Sequence, residues 1–309
     1  IDVAANGKKV SALRLREGAT LDLGTTTGHE FGSISGSGKI NLASGSFPAG
    51  DASNFAQNGI LEFNGSSYTA NMPNQLNDVV VNLDASGNQL TWLDDYIING
   101  NLMIERGTLR INDNSSPDPL EVTVYGDIEV KSSGSFTVGE GNTIADDVGG
   151  DYTNYNSLGT GDLGFYKSHH VLNCYGDILN NGTISFTNEN QPDYQNLTDE
   201  GAVSLFMLGR SNNTVRLNGT TDLYNLIVDK GSDKTYQLRV VSSDEANFRL
   251  FGVNGANFGS RSGSFSSSNP ELRKALWIRN GTFRLQGNLF IPTLTEDHDS
   301  GYDSDYYIP

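Results

Sequence analysis

The chain has one cysteine, three methionines, two tryptophans and eight prolines among 309 residues, and basic residues are scarce. Cys174 alone cannot close an internal disulfide. On a strand it would share a face with His170 and Leu172, where a thiol serves as a small buried hydrophobe. No apolar run reaches the roughly 18 residues a bilayer-spanning helix needs, so direct membrane insertion is not expected. Twenty basic residues against 37 acidic ones give a net charge of −17. Such a surface repels phosphate backbones and anionic lipid faces, which disfavours nucleic acid as a partner. Its simplest use is solubility; divalent-cation binding or an extracellular setting is the sharper alternative. There is no initiator methionine or signal peptide. Ile1 opens mid-pattern and Pro309 follows a strand-like Tyr306–Ile308, so the expectation is a segment of a longer chain.

What the chain has in excess is turn chemistry. Its 36 glycines and many asparagines supply positive φ and left-handed tolerance. The prolines fall between strand candidates, where a missing N–H costs no pairing. Apolar content is only 36%, yet Ile, Leu, Val and Phe sit in alternating runs, as in a narrow core lined by one face of each strand.

A single phrase recurs. IINGNLMIERGTLRI (97–111), VYGDIEVKSSGSFTV (124–138) and CYGDILNNGTISF (174–186) each read strand, Gly with Asn or Asp, strand, Gly, strand. The paired glycines are Gly100/Gly107, Gly126/Gly134 and Gly176/Gly182, and WIRNGTFRLQGNLFI (277–291) adds Gly281/Gly287. Repetition at this scale marks a stacked, quasi-one-dimensional fold. The prediction is an all-β, right-handed parallel β-helix (β-solenoid) with irregular loop insertions, of about 20–25 residues per coil and roughly 10–13 coils stacked about 4.8 Å apart. Leu102, Ile104, Leu109, Ile111, Ile128, Val130, Phe136, Val138, Ile178, Ile184 and Phe186 occupy matching places and should point inward.

The 1–309 chain is expected to be one solenoid. ILEFNG (60–65), NDVVVN (77–82) and QLTWL (89–93) are echoed by TVRLNG (214–219), YNLIVD (224–229) and YQLRVV (236–241). This suggests super-repeats over about 55–190 and 210–309. Aperiodic stretches at about 140–168 and 242–274 are expected to bulge as insertions. SNPELRKAL (268–276) has the cap, proline and acidic first turn of a short helix. Asp193–Leu208 is either a second helix or a loop leading into a strand at Val203–Leu208.

The spelling Gly-x-Leu-x-Phe-Asn-Gly-Ser-Ser (59–67), Leu-Asn-Asp-Val-Val-Val-Asn (76–82) and Ile-Ile-Asn-Gly-Asn-Leu-x-Ile-x-x-Gly-Thr-Leu (97–109) resembles the repeats of large Bacteroidota cell-surface proteins. Those include gliding-type adhesins exported by type IX secretion. The likeness covers about half the chain and is less close in 213–228 and 277–291. It implies a parallel β-helix on the bacterial cell surface or secreted outside the cell. It also implies a frequent role in adhesion or as a long surface stalk, and the expected function is a non-enzymatic adhesin or surface-filament module. Its partners would be surface glycans, other cell-surface or secretion-system proteins, and flanking repeats of the same chain.

The competing function is a carbohydrate-active β-helix enzyme, a polysaccharide lyase or glycoside hydrolase with catalytic loops in the insertions. Such enzymes need convergent carboxylates with a basic or imidazole partner. Asp94–Asp95 and Asp146–Asp147 are the adjacent aspartate pairs, but neighbours on a strand point to opposite faces. His169, His170 and Cys174 align at most two ligands, short of a structural zinc site. No catalytic residue and no organic cofactor is assigned. Asp297, Asp299, Asp303 and Asp305 alternate around Gly301 and offer hard oxygen ligands for calcium, although a solvated acidic loop is the simpler reading.

Overall fold

The computed structural model describes residues 3–113, 120–139, 169–187, 202–250 and 276–289. It is almost entirely β, and every strand pairing among these residues is parallel. The main path of one long sheet carries ten strands, from Thr20–Asp22 through Leu102–Ile111 and Ile128–Val138 to Thr282–Gly287. A second face branches from it. It runs from Tyr68–Thr69 through Gln89–Trp92 and the C-terminal halves of 102–111 and 128–138, then through Thr183–Ser185 and Thr220–Leu223 to Arg249–Leu250. A separate seven-stranded sheet is the third face, from Gln75–Leu76 to Leu276–Asn280. The chain visits the three faces in turn and returns one level along the stack, an arrangement compatible with a parallel β-solenoid.

Alternation explains the narrow core. In the long sheet, Ile40, Leu61, Val79, Leu102, Ile128, Ile178, Val215 and Val240 are paired in sequence from coil to coil, and all are buried. On the second face Leu90, Leu109, Phe136 and Ile184 form a like column. All eleven residues expected to point inward are buried. Phe136 meets Phe186 edge-to-face, with centroids 5.0 Å apart.

The recurring glycines sit at the corners. A side chain on Gly126 would place its Cβ 2.3 Å from the carbonyl oxygen of Gly100, and one on Gly176 would lie 2.1 Å from that of Gly126. Only hydrogen fits where coils approach this closely. The Asn or Asp after Gly100 and Gly126 closes the same corner, as Asp78 does one coil earlier. Asp78 Oδ1 accepts the Asn101 N–H at 2.7 Å, Asn101 Oδ1 that of Asp127 at 2.8 Å, and Asp127 Oδ1 that of Asp177 at 2.7 Å. Each side chain thus satisfies a backbone donor one coil away. The unequal glycine spacing is absorbed by a one-residue register shift between Ile104 and Arg106 against Val130 and Ser133.

Of the two alternatives for Asp193–Leu208, the strand at Val203–Leu208 is present, within Ala202–Gly209. Other expectations meet a different outcome. Asp244–Leu250, assigned to an insertion, holds a capped 3-10 turn and a strand paired with Asp222–Leu223. A short helix, Phe55–Asn58, stands among the strands with Phe55 and Ala56 buried. The echoing words also occupy different faces: Val79 and Val81 line the long sheet, whereas Asn225–Lys230 belongs to the third face. The stretches 140–168 and 251–275, with most of the expected 268–276 helix, lie outside the described residues.

Candidate functional site

The third face presents a pair of aromatic side chains outward. Along Glu121–Val124, Val122 and Val124 point into the core, so Glu121, Thr123 and the following Tyr125 point out. One coil further, Asn173 pairs with Thr123, and Tyr175 follows the buried Cys174. Stacking of coils therefore stacks the tyrosines. Their ring centroids are 4.7 Å apart with planes inclined by 30°. Tyr125 keeps 50% of its surface exposed, and Ile97, one coil back, keeps 41%. Asn173 Nδ2 donates to Glu121 Oε1 at 2.6 Å and to Thr123 Oγ1 at 3.3 Å. The Tyr175 hydroxyl is pushed above its ordinary range by partial burial, then by Tyr125 and the Glu121 carboxylate. The result is a stacked aromatic step beside a carboxylate, an amide and a hydroxyl, with no cation among these five side chains.

That step was legible in one detail. The tripeptide Tyr-Gly-Asp occurs at 125–127 and again at 175–177. The glycine and aspartate serve the corner, so the tyrosine ahead of them falls at the same outward place in each coil.

The residues singled out from sequence are placed as follows. Asp94 and Asp95 are exposed at a turn, where Asp95 Oδ1 accepts the Glu121 N–H at 2.7 Å and Asp94 Oδ1 that of Asp95 at 2.9 Å. Asp95 is therefore a cap on the next coil. His170 is buried, and its Nδ1 accepts the Leu120 N–H at 2.9 Å. Cys174 is buried between Val124 and Met207, and desolvation lifts its thiol from 9.0 to about 12. Asp146, Asp147, Asp297, Asp299, Asp303 and Asp305 lie outside the described residues, as does the His169 side chain. Among the described residues, no three of His, Cys, Asp and Glu gather as a metal ion would require. An open groove near the first coil is lined by Val10, Phe31 and Gly50 together with Lys9, Ser11 and Glu30, and its two charged groups pair with each other at 2.7 Å.

No known protein family, curated protein or solved structure matches the chain.

Proposed function

We propose that the chain is a right-handed parallel β-helix module of a secreted, cell-surface bacterial protein, and that it acts as a non-enzymatic adhesin or stalk that holds surface glycans on its third face. The observation that carries this reading is the outward Tyr125–Tyr175 stack flanked by Glu121, Thr123 and Asn173. Sugar rings present C–H groups to aromatic faces and hydroxyls to amide and carboxylate side chains. A rod whose coils repeat along its axis suits an extended chain of such rings. The net charge of −17 and the local carboxylate favour a neutral glycan over a polyanionic one.

The test is a glycan array probed with the purified chain, together with release of reducing ends from neutral and acidic polysaccharides. Binding to neutral glycans without turnover is the expected result. Tyr125→Ala should lower that affinity about tenfold, equivalent to ~1.4 kcal/mol, without changing the unfolding temperature. Turnover of a polysaccharide would establish the enzyme reading instead. Undiminished binding by the variant would remove the third face as the glycan site.

A further inference from the structure

The end of the third face holds a fully buried lysine. Lys230, the last residue of Asn225–Lys230, has 0% of its surface exposed. Its Nζ contacts the carbonyl oxygen of Leu208, one coil back on the same face, and Oδ1 of Asn213. Asn213 opens the long-sheet strand of that earlier coil and is itself buried. Among the described residues, no carboxylate is hydrogen-bonded to the amine. Asp177 lies instead on the far side of the amide, its Oδ1 accepting from Asn213 Nδ2 at 3.0 Å and from the Thr214 N–H at 3.0 Å.

We propose that Lys230 and Asn213 join in an intramolecular isopeptide bond, with Asp177 as the proton carrier. The amide carbon of Asn213 is one bond beyond the oxygen that Nζ already touches, so nucleophile and electrophile are held together. Desolvation pushes the Lys230 amine below its ordinary range, towards the neutral form that has a free electron pair. The other groups that act on it electrostatically are the Cys174 thiol and Asp177. In the reaction the neutral Nζ attacks Cγ of Asn213 and a C–N bond forms. Once that bond has set Nζ on the carbon that bears Nδ2, Asp177, which already hydrogen-bonds Nδ2, takes the proton shed by Nζ and delivers it to Nδ2. The Cγ–Nδ2 bond then breaks and ammonia leaves. Amine and primary amide become a secondary amide and ammonia, so the step needs no oxidant, metal or cofactor.

The topology gives the bond a purpose that stands apart from any glycan site. From Asn213 the chain crosses the long sheet, the second face and the third face before reaching Lys230, 17 positions later. The bond would close that whole circuit into a covalent ring, and tension along the chain would pass through the crosslink rather than through the coil. For a module under load this places a permanent clasp at a narrow-cored position.

Intact mass and peptide mapping of the full chain test the proposal. The folded parent is expected to weigh less than its sequence by one ammonia. Trypsin should leave the Lys230–Gly231 bond uncut and yield a branched peptide joining 213 to 230. Lys230→Met and Asn213→Ala should each return to full sequence mass. Cys174→Ser should keep the deficit, which sets the bond apart from any sulfur bridge. Asp177→Asn retains an acceptor for the corner and should fold with the parent's circular dichroism, yet show full mass. A folded parent at full sequence mass, with cleavage after Lys230, overturns the bond. A deficit retained in Asp177→Asn overturns the role given to Asp177.

Discussion

Individual side chains in this fold are governed by which way a strand residue points. Cys174 and Tyr175 are neighbours in sequence, yet one is sealed in the core and the other forms the outward step. The buried thiol makes a pH prediction. Its proton is held to about 12 in the folded chain against 9.0 when unfolded, so its stabilising contribution is complete below pH 9 and is lost as pH rises towards 12. Cys174→Ala should therefore show a shallower alkaline loss of stability over that window in pH-dependent denaturant unfolding. Some slope should remain, because burial also lifts the Tyr96 hydroxyl from 10.0 to about 12. An unchanged slope would mean that the thiol ionises in the folded chain. Phe136 makes the packing prediction. Buried against Phe186, it should cost roughly 3–5 kcal/mol when replaced by alanine. Faster hydrogen exchange is expected at 133–138 and in the paired segments 106–111 and 183–185. Unchanged exchange there would place Phe136 outside the cooperative core.

At the scale of an element, corners matter as much as strands. The Gly-Asn/Asp dipeptide performs two tasks at one place. Glycine lets one coil's backbone approach the next, and the following side chain accepts the next coil's N–H. Gly126→Ala should therefore destabilise the chain by about 1–3 kcal/mol, because the new methyl meets the Gly100 carbonyl and the coils must part. Thermal unfolding measures this. Gly87→Ala is the control, since a Cβ there meets nothing within 4 Å. Equal effects at both positions would mean that coil spacing does not constrain the corner.

Over the whole molecule, parallel stacking predicts a stability that sums over neighbouring coils, so local losses should spread to adjacent coils before the fold as a whole is lost. The acidic stretch Asp297, Asp299, Asp303 and Asp305 belongs to this scale as well, because an ion there would act by stabilising the native chain. We propose weak calcium binding at this stretch on its sequence pattern alone. Calcium should raise the unfolding temperature of the parent over that in chelator, and Asp299→Asn with Asp303→Asn should abolish the rise. The same rise in both proteins would place calcium elsewhere, and none in the parent would leave a solvated acidic loop.

The sequence alone determined the β class, the stacking and the inward set, because alternation and corner glycines are local properties that each coil must repeat. Phe136, Ile184 and Gly126 could be assigned from the repeated phrase for that reason. It did not determine which face each strand joins. The words around Val79 and around Ile227 are spelled alike, yet they lie in different sheets. Face assignment depends on how many residues each corner consumes, and the register shift at Arg106 shows that corners vary by a residue without any marker in the alternation. The Tyr125–Tyr175 step and the Lys230–Asn213–Asp177 cluster share this origin. Their members lie 50, 17 and 36 positions apart, and only the stacking of coils brings them into contact.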